Sequence, residues 1–178
     1  MPLHIRPASE ADGPSVARIY APYVTDWAAS FELEPPRSDE MAQRIVDSSL
    51  RHAWLIAEDG KEVVGYAYGA TARTRAAYRF TVEVSVYLDL ERRGRGMGQA
   101  LMTELLDVLT KRGYVTAIAG VTLPNDASVR LFERLGFDHV GVYRNIGYKF
   151  GRWHDVGWWQ RALVEPPPDA PSEIQGPS

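Results

Sequence analysis

Residues 88–113 of this chain read LDLERRGRGMGQALMTELLDVLTKRG, and three glycines and three arginines fall within seven positions of this stretch. A strand precedes the turn, and an apolar run with helical spacing follows it. A strand, a glycine-rich turn and a helix in this order point several backbone N–H groups at one spot, where the helix dipole adds positive charge. The stretch therefore predicts a pyrophosphate site. Its glycines leave room for a ligand and two of its arginines can donate charge-assisted hydrogen bonds: Gly94, Gly96, Gly98, Arg93 and Arg95.

Other phosphate-binding motifs fit this turn less well. A Walker A loop needs a Lys-Ser/Thr pair after its last glycine, and Gln99 and Ala100 stand there instead. A dinucleotide fingerprint is expected near the start of a βαβ domain, whereas this turn lies mid-chain and reads Gly-Arg-Gly-Met-Gly. A solvated basic loop with no ligand stays open as an alternative on these residues alone.

Composition limits the classes of function. The chain has 178 residues, which suits one domain, and its hydrophobic content of 45% is ordinary for a globular protein. A net charge of −3 argues against nucleic acid or an anionic membrane as the main partner. There is no cysteine, which excludes disulfides and thiolate nucleophiles. The opening residues lack a continuous apolar segment, so we expect a cytoplasmic location.

The order of elements predicts an α/β (α+β) domain with a mixed, mostly antiparallel central sheet flanked by helices. We expect one domain over residues 1–163, followed by a disordered, proline-rich tail over residues 164–178. The first half of the chain predicts a strand at LHIRPA, a helix towards Tyr23, a helix from near Ser38 with Met41, Ile45 and Leu50 on one face, and a hairpin around Asp59-Gly60. The second half predicts strands at FTVEVSVYL and TAIAGVTL, with the helix after the glycine turn between them. A short helix capped by Asn125 and two final strands, HVGVYRNIGYKF and WHDVGWWQRAL, complete the predicted elements.

Glu83 is the one plausible base in the central strand FTVEVSVYL. A carboxylate in an apolar strand is costly unless it is paired or used, and burial would raise its pKa towards the range in which a base works best. The alternative is that Glu83 lies on a polar sheet face beside an arginine. No metal site is expected, because the adjacent His154 and Asp155 point to opposite faces of a strand.

Several motifs together resemble a known family. The turn RRGRGMG is similar to the cofactor signature of GNAT N-acetyltransferases, with Arg93, Gly96 and Gly98 on its fixed positions. VTLPNDASVRLFERLGF resembles the second cofactor segment of that family. ARTRAAYRFTVEVSVYL and GYKFGRWHDVGWWQ resemble phosphinothricin and methionine sulfoximine N-acetyltransferases. The resemblance extends from Leu3 to about Leu163.

The resemblance implies the GNAT fold, acetyl-CoA as co-substrate and no metal. It implies that Glu83 is the catalytic base, directly or through water, and that the N–H of Val86 polarises the thioester carbonyl. The family's proton-donating tyrosine is replaced here by Phe132, so no general acid is assigned. The acceptor would be bound by Phe31, in a loop with Glu32, and by Arg73, Arg75 and Tyr78. The implied cofactor-binding residues are Val86, Tyr87, Leu88, Arg93, Gly94, Arg95, Gly96, Met97, Gly98, Gln99, Asn125 and Ser128.

The implied reaction is acetylation of the α-amino group of a small amino-acid analogue: L-phosphinothricin, methionine sulfoximine or methionine sulfone. This would detoxify inhibitors of glutamine synthetase. A cytoplasmic homodimer is expected, without nucleic-acid or membrane partners. Two alternative functions stay open. The first is acetylation of protein N-termini or lysines, which Arg73 and Arg75 mildly disfavour. The second is a non-catalytic acyl-CoA sensor, which the presence of Glu83 disfavours.

Overall fold

A computed structural model describes residues 3–177. None of the helices in this part of the chain is long and apolar enough to span a bilayer. The helices and strands are β1 His4–Pro7, α1 Gly13–Thr25, α2 Ser38–Arg51, β2 Trp54–Asp59, β3 Glu62–Thr71, β4 Thr81–Leu88, α3 Met97–Lys111, β5 Thr116–Leu123, α4 Asp126–Arg134, β6 Asp138–Lys149 and β7 Arg152–Ala162.

The strands form one seven-stranded sheet in the order β1-β2-β3-β4-β5-β7-β6. Only β4 and β5 are parallel; every other neighbouring pair is antiparallel. The crossover between these two parallel strands contains the glycine turn and α3. The predicted mixed, mostly antiparallel sheet flanked by helices is confirmed.

Helices cover both faces of the sheet. Leu101, Leu105 and Leu109 of α3 recur at helical spacing, are fully buried, and form the centre of the core on one face. On the other face α1 and α2 cover a cluster rich in aromatic residues, including Tyr20 and Tyr66. The odd and even residues of β4 therefore face different layers, which decides where each functional side chain of that strand can act.

Most predicted elements are present, and one predicted helix face needs correction. Met41 and Ile45 of α2 are buried, with exposures of 2% and 1%, whereas Leu50 is 62% exposed. Leu50 is nine positions after Met41, which is two and a half turns of helix, so Leu50 lies on the opposite side. The prediction that Leu50 shares the buried face is wrong.

The segment after β7 has no helix or strand. It still touches the domain, because Gln175 donates its backbone N–H to the Arg112 carbonyl at 2.9 Å and Ile174 packs against the core. The disorder of this tail stays a prediction, and Gln175 marks where the tail meets the end of α3.

Candidate active site

A cleft opens in the sheet between β4 and β5. The two strands pair over only three residues, ending at Glu83 and Ile118, and then separate although β4 continues to Leu88 and β5 to Leu123. A cavity of about 850 Å³ occupies the cleft. This volume lies within the roughly 300–1,000 Å³ range of small-molecule sites.

The glycine turn closes one end of this cavity. φ is +84° at Gly94 and +75° at Gly96, and Gly96 caps the N-terminus of α3. A Cβ atom at either glycine would meet no atom within 4 Å, so glycine is needed here for the left-handed backbone rather than for space inside the protein. The unpaired N–H groups of the first turn of α3 lie beside the cavity and form a site for an anion.

The three arginines of the turn have different surroundings. Arg93 lines the cavity, and its guanidinium lies 5.1 Å from the ring centre of Tyr23 and 5.7 Å from that of Trp27. Arg92 instead forms ion pairs with Asp59 and Glu62, which tie the turn to the β2–β3 hairpin. Arg95 is exposed and does not line the cavity. Among the three, Arg93 is the one placed to contact a ligand in the cleft.

Helix α4 forms the opposite wall. The side-chain oxygen of Asn125 accepts the Ser128 N–H at 3.2 Å, and this cap fixes the start of the helix. Asn125 and Ser128 both line the cavity, as do Arg130 and Arg134, which lie on one helix face at a spacing of four residues. The sequence interpretation missed these two arginines, although their spacing beside Asn125 is a signal that could have found them.

Nine of the twelve predicted cofactor residues line the cavity, and three do not. Tyr87 points away, into the aromatic cluster beneath α1, with its ring 4.9 Å from that of Tyr20. Met97, the first residue of α3, is buried in the core, and Arg95 is exposed outside the cavity. Those that line it are Val86, Leu88, Arg93, Gly94, Gly96, Gly98, Gln99, Asn125 and Ser128.

The backbone of β4 offers a donor to the cleft. Leu88 donates its N–H to the Tyr23 hydroxyl at 3.2 Å on the cleft side, whereas Asp89 donates to a β3 carbonyl at 2.9 Å. Backbone N–H groups alternate between the two edges of a strand. The N–H of Val86, two residues before Leu88, therefore faces the cleft.

Glu83 lies where β4 and β5 begin to separate, on the sheet face covered by α1 and α2. Burial raises the pKa of its carboxyl above the ordinary value, and Arg73 partly opposes this shift. The guanidinium of Arg73 also lies 5.7 Å from the ring centre of Trp158, on β7. Glu83 and Arg73 thus form a carboxylate and a cation that influence each other beside the cleft. Arg75 and Tyr78 are exposed on the same loop as Arg73.

The loop between α1 and α2 borders the cleft on this face. Phe31 packs on Gly147 of β6 so closely that a Cβ atom there would come within 2.4 Å of the ring. Its neighbour Glu32 accepts hydrogen bonds from Arg44 at 2.7 and 3.0 Å and from Tyr20 at 2.9 Å. These contacts hold the loop to α1, to α2 and to the final hairpin, which is formed by β6 and β7.

Two further sequence predictions concern the absence of a proton donor at Phe132 and the absence of a metal site at His154. Phe132 is 4% exposed, and its ring centre lies 5.2 Å from that of Phe137 in the core. Its side chain carries no proton donor, so it cannot protonate a leaving group. His154 lines the cavity and donates from Nε2 to the carbonyl of Lys149 at 3.0 Å. Residues 3–177 contain no group of three or more side chains placed to hold a metal ion.

Comparison with known proteins identifies the family. The family model described as Acetyltransferase (GNAT) family matches residues 16–137. The chain belongs to the GNAT acetyltransferase family. The phosphinothricin N-acetyltransferase of Streptomyces viridochromogenes is 39% identical over 170 residues, which cover 96% of this chain and 93% of the relative. The L-methionine sulfoximine/L-methionine sulfone acetyltransferase of Salmonella typhimurium is 34% identical over 92% of this chain and 96% of the relative.

A solved structure that contains acetyl-CoA is similar to this chain over almost its whole length. The phosphinothricin acetyltransferase of Sinorhizobium meliloti in complex with AcCoA has a TM-score of 0.92 and 38% identity, with 97% of this chain and 95% of that chain covered. The GNAT fold predicted from the sequence is confirmed. The cleft fits acetyl-CoA, because it combines an anion site at the N-terminus of α3 with a long opening along Val86 and Leu88. Acetyl-CoA is the co-substrate of this GNAT acetyltransferase.

Proposed function

We propose that the chain transfers the acetyl group of acetyl-CoA to the α-amino group of a small amino-acid analogue, such as L-phosphinothricin, methionine sulfoximine or methionine sulfone. The observation that carries the proposal is the half-buried Glu83 at the point where β4 and β5 separate. A base there reaches both the acceptor on the α1–α2 face and the cleft. The names of the relatives supply the acceptor class.

The reaction needs a free amine, and Glu83 provides it by accepting a proton from the α-ammonium group, directly or through water. The amine then attacks the thioester carbonyl carbon, so that a C–N bond forms and the C–S bond breaks. The N–H of Val86 stabilises the charge that develops on the carbonyl oxygen. After attack the nitrogen loses its second proton to solvent, and coenzyme A leaves as a thiolate that takes a proton from solvent, which a thiol of pKa about 8.5 permits without a dedicated acid.

Arg73 is the proposed partner of the acceptor's carboxylate. Its planar guanidinium can donate two parallel hydrogen bonds to one carboxylate or phosphinate group. The effect of Arg73 on the pKa of Glu83 supports its closeness to the base. Arg75 and Tyr78 are proposed to contact the acceptor's distal acidic group, and Phe31 to pack on its methylenes.

A homodimer is proposed to form through the final hairpin. β6 is an edge strand of the sheet, and edge strands with apolar surface associate unless they are covered. Exposed apolar side chains recur along β6 and into its turn, which favours a second copy as the occupant of this surface. The exposed apolar side chains on β6 and β7 and in the turn between them are Val140, Val142, Tyr143, Ile146, Tyr148, Phe150 and Trp153. The cytoplasm, where acetyl-CoA and glutamine synthetase are found, is the proposed location.

The test is the release of free thiol from acetyl-CoA with L-phosphinothricin, methionine sulfoximine, methionine sulfone and an N-terminal peptide as separate acceptors. Turnover with a small analogue and none with the peptide would support the proposal. Turnover with the peptide alone would favour a protein acetyltransferase. If no acceptor gives thiol release although acetyl-CoA binding is demonstrable, the proposed reaction is overturned and a non-catalytic sensor is favoured.

A further inference from the structure

A second cavity, of about 560 Å³, lies between α2 and strands β2 and β3. It shares no lining residue with the cleft cavity. Protein interiors are close-packed and contain few voids larger than a water molecule, whereas ligand sites measure roughly 300–1,000 Å³. The second cavity therefore has the size of a ligand site, and acetyl-CoA in the cleft leaves it free.

Aromatic rings form one wall of the second cavity. The Trp54 ring stacks on that of Tyr68 with centres 4.3 Å apart and on that of Tyr66 with centres 5.5 Å apart. Within residues 3–177 the buried Trp54 Nε1 has no hydrogen-bond partner. The faces of these stacked rings form a surface suited to a flat or apolar group.

The buried residues of the remaining lining are uncharged. His52 has both ring nitrogens engaged, one with Thr71 Oγ1 at 3.1 Å and one with the Tyr114 hydroxyl at 2.6 Å. Burial lowers the pKa of His52 to about 4, so its ring is neutral at physiological pH. Met41 and Tyr20 add apolar surface. The charged lining residues are exposed or half-exposed: Arg44, Asp47 and Arg51.

One end of the second cavity lies beside the base. Ala70 lines it and is the direct cross-strand partner of Glu83. Directly opposed residues of an antiparallel pair point to the same face, with Cβ atoms about 4.5–5.5 Å apart. Glu83 therefore lies next to the part of the cavity wall that Ala70 forms, on the same face of the sheet as the rings of Tyr68 and Trp54.

We propose that the second cavity binds the side chain of the acceptor, and that the enzyme acetylates α-amino acids with large apolar or aromatic side chains. This inference rests on the proposed function. The acceptor's amine lies at Glu83, its carboxylate at Arg73, and its side chain passes over Ala70 onto Tyr68 and Trp54. The bonds formed and broken are those of the proposed reaction: the amine gains the acetyl group, Glu83 takes the proton, and coenzyme A leaves.

The experiment compares kcat/KM for L-phenylalanine and L-tryptophan with kcat/KM for L-phosphinothricin. Two variants narrow the cavity from different sides: Ala70→Leu from β3 and Ser48→Leu from α2. Ala162→Leu is the matched control, because Ala162 is an exposed strand residue that lines neither cavity. We expect both cavity variants to lower kcat/KM for the aromatic acceptors by about tenfold or more, and to lower it much less for phosphinothricin. The control should match the wild type with all acceptors.

The outcomes separate the two proposals. Wild-type turnover of phosphinothricin with none of the aromatic amino acids would overturn the second-cavity assignment alone. An equal loss for both acceptor classes in Ala70→Leu and Ser48→Leu, or no loss in either, would also overturn it. Wild-type turnover of neither class would overturn the proposed function.

Discussion

The ammonium group of Lys149, on β6, donates a hydrogen bond of 2.7 Å to the carbonyl oxygen of Ser30, in the loop between α1 and α2. A longer contact of 3.4 Å reaches the carbonyl of Trp27. Lys149 is only 4% exposed, and its burial lowers the pKa of the amine. Because Trp27 and Ala29 line the cleft cavity, this lysine joins the β6–β7 hairpin to the wall of the cleft.

Replacing Lys149 by Met should loosen that wall. Hydrogen bonds to charged groups contribute about 1.5–3 kcal/mol, so we expect KM to rise by roughly tenfold or more, with a smaller change in kcat. Steady-state kinetics with acetyl-CoA and acceptor varied in turn would measure both constants. Lys61→Met, at an exposed lysine, is the matched control. Equal KM values in the two variants would show that the Lys149 contacts do not position the loop.

The Glu83→Gln variant should retain acetyl-CoA binding and lose turnover. Removing a general base lowers rates by about 10²–10⁴-fold, and we expect kcat to fall within that range. Calorimetric titration would report the affinity for acetyl-CoA, and thiol release the rate. Glu104→Gln, at an exposed position on α3, serves as control. A Glu83→Gln enzyme with wild-type kcat would exclude Glu83 as the base.

The pH dependence should report the carboxyl of Glu83. A base must be deprotonated to work, and burial raises the pKa of Glu83 above 4.5. We therefore expect kcat/KM to rise with pH through an apparent pKa above 4.5. The residual activity of Glu83→Gln should lack this step. The same acidic limb in the wild type and the variant would assign it to another group.

Stability should change in the opposite direction to activity at this position. Because the pKa of Glu83 is higher in the folded chain than in the unfolded chain, folding becomes less favourable as pH rises through the raised value. Above the raised pKa the folded protein holds a poorly solvated charge, and Glu83→Gln removes it. We expect a higher Tm for the variant at pH 7 and a smaller difference near pH 4, measured by thermal denaturation. A lower Tm at pH 7 would contradict the desolvation argument.

The proposed dimer predicts a change of mass in solution. Ile146 and Tyr148 of β6 are 57% and 58% exposed. Introducing Asp at both positions would place charge within the apolar surface, and we expect light scattering to report a monomer where the wild type is a dimer. Leu50→Asp, at an exposed leucine on α2, should leave the mass unchanged. A wild-type protein that is monomeric by light scattering would contradict the proposed interface.

Local patterns in the sequence predicted much of the fold. The Asp59-Gly60 hairpin, the apolar stripe of α3 and the Asn125 cap each depend on residues close together in the chain, and each is present. Lys149 was not predicted to touch the loop at Ser30, because 119 positions separate the two and nothing in the local pattern pairs them.

The interior surfaces were predicted less completely. The sequence interpretation placed Tyr87 among the cofactor residues, but in the structure the alternation of side chains along β4 directs its ring to the other face. The second cavity depends on the distance between α2 and the sheet, which no spacing of residues encodes.

The three-residue pairing of β4 with β5 has a consequence for the chain as a whole. This pairing joins strands β1–β4 to strands β5–β7 and is the shortest strand ladder within residues 3–177, so the remaining edges of β4 and β5 are available to a bound molecule. A molecule that binds only the folded form stabilises it in proportion to the logarithm of its concentration. Acetyl-CoA bound between the two strands therefore also stabilises the folded chain, and its concentration shifts the folding equilibrium.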